Sequence, residues 1–110
     1  MTVVYTIENM QSVEKIRKSL VEGQSYNVQL VVCEKGRPIQ IISGTIKPRL
    51  NAMYVKEDKV VEDMDYPFYQ GDKLIGKLVF LNGELVLIYN DGSSTTVGSC
   101  AVHITGNLKF

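Results

Sequence analysis

The sequence is poor in the residues from which catalytic and metal sites are usually built. Its 110 residues include one histidine, two cysteines and no tryptophan. Histidine is the commonest acid–base catalyst, and a structural zinc ion takes four cysteine or histidine ligands. Cys33 and Cys100 lie far apart in the chain, and His103 cannot complete a zinc set with them. We therefore expect no metal ion, no cofactor and no catalytic residue.

The chain also lacks an excess of charge of either sign. Twelve lysines and arginines balance twelve aspartates and glutamates, so the formal net charge is zero. Proteins that bind nucleic acid without sequence preference gain most of their affinity by neutralising phosphates, and they usually carry a clear positive excess. Zero net charge disfavours that class, and it equally disfavours a DNA mimic. A local basic patch stays open.

Long apolar runs and a leader-like N-terminus are missing too. Residues 1–5 contain no basic segment and continue directly into strand-like sequence. The apolar runs are far shorter than the roughly 20 residues that cross a bilayer. We predict a cytoplasmic protein that does not enter a membrane. Thiols are reduced in that compartment, so we expect Cys33 and Cys100 to be buried and free.

The residues that are present predict an α+β fold, mostly β, in a single domain over residues 1–110. A chain of this length corresponds to about one domain. Residues 3–8 are rich in β-branched side chains, which favours a first strand. A helix is then predicted from Ser12, as the N-cap, to Gly23, as the C-terminal stop. Its apolar residues recur at helical spacing: Val13, Ile16, Leu20 and Val21.

The rest of the sequence predicts short antiparallel strands joined by tight turns. They are expected at residues 26–34, 39–46, 52–56, 60–62, 73–81, 84–89, 94–97 and 100–104. Asn82-Gly83 is the residue pair that a type I′ turn prefers, because both positions need a positive φ. Residues 63–72 are predicted to form a long loop. A parallel α/β sheet is excluded, since it needs repeated helical crossovers.

One stretch carries an architectural resemblance. Gly71–Lys77, followed by Asn82-Gly83-Glu84, is similar to the opening of many SH3-like and Sm-like barrels. The resemblance is confined to the C-terminal part of the chain. It implies that the hairpins form a small SH3-like or Sm-like barrel or a curved sheet, with the short N-terminal helix packed on it.

His103 is the one side chain that could act as an acid–base catalyst. Strand alternation places it on the same side as Ala101 and on the side opposite Cys100. His103 and Cys100 are therefore poorly placed as a base and a nucleophile. The acidic residues at 62–65 lack the calcium-loop pattern, and Gly71–Gly76 lacks the Lys-Ser/Thr ending of a phosphate-binding loop. These observations predict a protein that is not an enzyme.

Four basic residues are candidates for contact with an anion. Lys35 and Arg37 belong to one predicted turn, and Lys47 and Arg49 lie at the opposite end of the strand that follows. If that strand is extended, roughly 30 Å separate the two pairs. They would form two small patches instead of one groove. They are either ordinary surface charge or contacts to RNA or a phosphorylated partner.

The aromatic segment Tyr66-Pro67-Phe68-Tyr69 is the clearest pointer to a binding surface. Three rings around a proline are more apolar than a loop needs. Either one or two of the rings cap the core, or Tyr66, Phe68 and Tyr69 form a surface that binds a partner. Exposed aromatic side chains supply contact area at a low entropic cost.

These features together favour a non-enzymatic interaction module. It would present a loop or a sheet edge to a protein partner or to another copy of itself, because sheet edges must be covered or paired. A small accessory or inhibitor protein of a phage or mobile element fits the same description. The alternative is a small β-barrel that binds a nucleic acid or a nucleotide ligand.

Overall fold

The computed structural model describes residues 1–81, 83–97 and 100–109, which form nine strands and one helix. The elements in chain order are β1 (Thr2–Thr6), α1 (Met10–Ser19), β2 (Tyr26–Glu34), β3 (Arg37–Ile46), β4 (Arg49–Lys56), β5 (Lys59–Gln70), β6 (Lys73–Leu81), β7 (Glu84–Tyr89), β8 (Ser94–Thr96) and β9 (Ala101–Thr105). The mostly antiparallel β architecture with one short helix is therefore confirmed.

The strands form one antiparallel sheet that curves around the helix. Its order is β1-β9-β2-β3-β5-β6-β7-β8, and β4 pairs with β5 off this path. The helix α1 contacts β1 near one end of the sheet and β6 and β7 near the other end, so the sheet must bend to reach both. Within the described residues β1 and β8 do not pair with each other, so the sheet stays open and the barrel is not formed.

The helix α1 begins one turn earlier than the sequence predicts. Asn9, not Ser12, is the N-cap, and its side-chain oxygen accepts a hydrogen bond from the Ser12 N–H at 3.1 Å. Either residue can cap a helix, and the chain selects Asn9 because Ser12 already has helical geometry. Val13 and Ile16 are buried against the sheet, as their spacing predicts. The predicted end at Gly23 is wrong, because α1 ends at Ser19 and Leu20 and Val21 lie beyond it. In the described part of the chain, no helix has the length and apolar character needed to cross a bilayer.

Tyr26 ties the helix end and the C-terminal segment to the core. Its ring is fully buried, and its hydroxyl accepts from the Val21 N–H at 2.9 Å and donates to the Asn107 carbonyl at 2.8 Å. The Lys109 N–H donates to the Ser19 carbonyl at 2.8 Å. The C-terminal segment is thus docked as far as Lys109, while Phe110 lies outside the described residues.

The long loop predicted over residues 63–72 is wrong, because β5 runs unbroken from Lys59 to Gln70. The strand pairs with β4 in its first half and with β3 and β6 in its second half. Its contact with β3 is close: a Cβ added to Gly44 would lie 2.5 Å from the Phe68 ring. The predicted Asn82-Gly83 turn is described only at Gly83, which has a φ of 80°.

Candidate interaction surface

The aromatic segment contributes mainly to the core. Tyr66 is 6% exposed and Phe68 is completely buried, and the Tyr66 ring meets Phe80 edge-on at 4.8 Å. Tyr69 is half-buried on the opposite side of β5. Of the three rings that could have formed a binding surface, two present almost no area to a partner. Tyr66 and Phe68 therefore cap the core, which is one of the two alternatives that the sequence left open.

Burial also sets the titration of Tyr66. Transfer of the phenol into the core disfavours its charged form and raises the pKa of Tyr66, although the Arg17 guanidinium opposes the shift. Arg17 itself binds Glu14 through an ion pair of 2.6 Å, and this hydrogen-bonded contact lowers the pKa of Glu14. The pair lies on the exposed flank of α1, where ion pairs add little stability.

The basic residues lie at the two ends of β3, as the sequence indicates. Lys35 belongs to the β2–β3 turn with a φ of 52°, and Arg37 begins β3. At the other end the Lys47 ammonium lies 4.9 Å from the centre of the Tyr69 ring. Arg49 reaches Asp65 at 3.5 Å. The second pair is therefore engaged with neighbouring side chains, and the two pairs do not meet in one groove.

His103 lies on the outer face of the sheet. The burial pattern of β9 alternates, with Val102 and Ile104 in the core and Ala101 and His103 half-buried on the other side, as predicted. His103 is opposite Val4 on β1 and Gln29 on β2. Among the described residues there is no group of three His, Cys, Asp or Glu side chains that could hold a metal ion.

The prediction of free thiols is wrong. Cys33 and Cys100 are joined in a disulfide, with their Cα atoms 5.7 Å apart. Cys33 is the next-to-last residue of β2 and Cys100 precedes β9, two strands that pair directly from Asn27 to Leu30. The bond therefore fastens the two strands just beyond their last paired residues. Because the thiols are not free, they no longer support the cytoplasmic prediction, which stays a prediction.

A group of exposed apolar side chains belongs to the hairpin of residues 49–65, which we call the β4–β5 arm. All eight residues of β4 are exposed. Five large apolar side chains of the arm are between 38% and 71% exposed: Leu50, Met53, Tyr54, Val55 and Val60. Within the described residues β4 pairs with β5 and with no other strand, so the arm extends from the sheet as two strands.

The pairing register divides the arm into two faces. Met53 is opposite Glu62, and Val55 is opposite Val60. Along β5 these residues alternate in step with Tyr66 and Phe68, so their face continues the core side of the sheet outwards. On the other face Tyr54 is opposite Val61. Apolar side chains thus occur on both faces of the arm.

The tip of the arm is a two-residue turn with unusual residues. Glu57 and Asp58 have φ values of 52° and 60°, the left-handed combination that a type I′ turn requires. Asn-Gly is the preferred pair in such turns, whereas a glutamate in the left-handed region is disfavoured. The turn nevertheless sets the register, because Lys56 and Lys59 must pair directly beside it.

Comparison of the chain with protein-family models, with curated proteins and with solved structures found no match. The sequence predicted a hairpin at 52–56 and 60–62, but the predicted binding surface was elsewhere, at Tyr66, Phe68 and Tyr69. The signal was present in the segment Leu50–Val55, which contains four large apolar residues and no charge.

Proposed function

We propose that this chain is a non-enzymatic interaction module that binds protein through the β4–β5 arm. The observation that carries the proposal is the exposure of five large apolar side chains on a hairpin of 17 positions, residues 49–65. Four of them, Leu50, Met53, Val55 and Val60, lie on one face and together expose several hundred Å², which is the size of patch that commonly marks an interaction site. Burial of that surface against a partner would be favourable in proportion to its area.

The charges of the arm favour a protein partner over a nucleic acid. Residues 49–65 contain three basic and five acidic side chains, which leaves a net charge of −2. A negatively charged arm is repelled by phosphate groups, and counterion release cannot supply affinity there. The alternative of a nucleic-acid or nucleotide ligand would need the basic pairs at the ends of β3 and would leave the apolar arm unexplained.

The arm is also better suited to binding than the aromatic segment. A partner could contact Met53, Val55 and Val60 without any rearrangement of the sheet, because these side chains are already exposed. Contact with Phe68 would require the core to open. The docking element is therefore the exposed hairpin of the arm, in place of the loop that was predicted at residues 66–69.

A pair of matched variants tests the proposal. The arm variant carries Met53→Ser, Val55→Thr and Val60→Thr, and the control variant carries Ile39→Thr and Ile41→Thr. Ile39 and Ile41 are similarly exposed, at 59% and 64%, but lie on β3 outside the arm. Circular dichroism first establishes that both variants are folded.

Binding is then measured by sedimentation of the purified proteins and by capture of partners from a native extract. We expect the wild type and the control variant to associate, with themselves or with a captured protein, and the arm variant to lose that association. The proposal fails if the arm variant associates as the wild type does. It also fails if the wild type associates with nothing in either assay.

A further inference from the structure

We propose that the partner of the β4–β5 arm is a second copy of this chain, and that the two β4 strands pair antiparallel about a two-fold axis at Tyr54. This inference rests on the proposed function, because it names the partner of the same arm. It is carried by the hydrogen-bonding pattern and the residue order of β4, which are independent of the exposed area.

The turn at the tip determines which backbone groups of β4 point outwards. In a hairpin with a two-residue turn, the residues flanking the turn form a hydrogen-bonded pair, and the pairs then alternate. Lys56 and Lys59 flank the turn, so Val55 and Met53 occupy the non-hydrogen-bonded positions towards β5. Their N–H and C=O groups point to the outer edge of β4.

Between Ala52 and Val55 this outer edge has none of the usual features that prevent strands from pairing. Natural edge strands are commonly protected by proline, by charged residues or by being very short. The segment from Leu50 to Val55 contains no proline and no charged residue. The strand spans eight residues, and its one irregularity, at Asn51, lies towards the base of the arm. No strand in the described part of the chain pairs with this edge.

The residue order of β4 favours one self-pairing register. Residues whose backbone N–H and C=O groups point outwards must pair with residues of the same kind in the second copy. A two-fold axis at Tyr54 meets this requirement, because it pairs Met53 of each copy with Val55 of the other. Tyr54 then faces Tyr54 of the second copy in a non-hydrogen-bonded pair, where side chains approach most closely. Each of these three apolar residues is thereby opposite another apolar residue.

Neighbouring registers match less well. An axis at Met53 places Val55 opposite Asn51, and an axis at Val55 places Tyr54 opposite Lys56. The Tyr54 register also sets no charged residue of β4 opposite a like charge. Edge pairing of this kind makes one four-stranded sheet from the two arms, with apolar side chains on both of its faces. An isologous contact of this kind is the commonest arrangement of protein dimers.

The area is sufficient for a dimer that dissociates on dilution. A standard interface buries about 800 Å² per partner. The arm provides several hundred Å² of apolar side chain together with its backbone edge and polar flanks. We therefore expect a concentration-dependent dimer, with a mass that rises from the monomer value of 12.3 kDa towards twice that value.

Two variants test the register directly. In Tyr54→Cys the two new cysteines would form a non-hydrogen-bonded pair with Cα atoms about 4.5 Å apart, which is within the range that a disulfide spans. Val61→Cys is the matched control, because Val61 is on the same face but on β5. Three strand spacings, about 14 Å, would separate its two copies. Non-reducing gels of freshly oxidised wild-type protein give the background from Cys33 and Cys100.

A third variant blocks the edge without removing the apolar patch. Met53→Pro deletes an N–H that points away from β5, so the hairpin keeps its internal hydrogen bonds, as edge strands with proline do. We expect Met53→Pro to remain at the monomer mass at concentrations where the wild type is dimeric. We expect cross-linked dimer from Tyr54→Cys at least ten times above that from Val61→Cys.

The outcomes separate this inference from the proposed function. It is overturned if the wild type stays monomeric at millimolar concentration, if Tyr54→Cys cross-links no more than Val61→Cys, or if folded Met53→Pro still dimerises. In those cases the proposed function survives if the arm variant loses a partner that the wild type captures from an extract. Both fail if the arm variant behaves as the wild type in every assay.

Discussion

The disulfide between Cys33 and Cys100 should contribute a large part of the stability of this protein. The bond closes a loop of 67 residues, which removes conformational freedom from the unfolded chain. The chain-entropy relation gives about 4 kcal/mol for a loop of this length at 25 °C. Domains of this size are stable by only about 5–15 kcal/mol in total, so the loss should be large and measurable.

The assay is urea unfolding of the wild type, with and without reductant, and of the variant Cys33→Ala/Cys100→Ala. With a typical m-value of 1–3 kcal/mol per molar urea, loss of the bond should lower the midpoint by roughly 1.5–4 M. The single variant Cys33→Ala should lose about as much as the double variant, because either change breaks the same cross-link.

Reductant added to the double variant is the control and should have no effect. The reasoning is refuted if the wild type unfolds at the same urea concentration with and without reductant. That result would mean that the two sulfur atoms lie close together without a bond that constrains the unfolded chain. The free-thiol expectation from the sequence would then be restored.

Three further predictions concern the turn, the core and the titration of a buried tyrosine. Asp58→Gly should raise the free energy of unfolding by about 0.5–1 kcal/mol, because glycine adopts the positive φ at the arm tip without steric cost. Urea unfolding measures this free energy, and an unchanged or lower midpoint contradicts the prediction. Gly44→Ala should lower the free energy of unfolding by about 1–3 kcal/mol, since the new Cβ overlaps the Phe68 ring. A urea midpoint equal to that of the wild type would show that β3 and β5 can separate at no cost. Because the pKa of Tyr66 is raised in the folded protein, the unfolded chain releases the phenol proton first as the pH rises. The stabilising effect of the buried phenol is therefore complete below pH 10 and is lost as the pH rises towards the raised pKa. Between pH 8 and 11 the stability of Tyr66→Phe should therefore decline less than that of Tyr54→Phe, in which the exposed ring is changed instead.

The local sequence predicted elements whose signals lie within a few residues. The alternation around His103 predicted its side of β9, and the spacing of Val13 and Ile16 predicted the buried face of α1. The β2–β3 hairpin was placed within two residues of its observed bounds, since its turn and its strands are both encoded locally. The N-cap was missed because Asn9 and Ser12 are equally good capping residues.

The loop predicted over residues 63–72 contains Pro67, which lies inside β5. A proline argues against a central strand because it cannot donate to the ladder. Its carbonyl accepts from the Lys47 N–H at 3.4 Å, so the strand continues through it. The alternation of Met64, Tyr66 and Phe68 is a period-two signal typical of a strand, and the loop prediction did not take it into account.

The sequence by itself determined that this protein is a mostly antiparallel β structure with one amphipathic helix, because strand alternation, helical spacing and turn residues act over short distances. Only the tertiary structure decided which apolar residues are covered. Burial depends on what distant strands bring together: β3 and β6 cover Phe68, whereas β4 has only β5 beside it among the described residues, so Met53 and Val55 stay exposed. The Cys33–Cys100 bond was equally beyond the local sequence, because it depends on β2 and β9 being neighbours in the sheet.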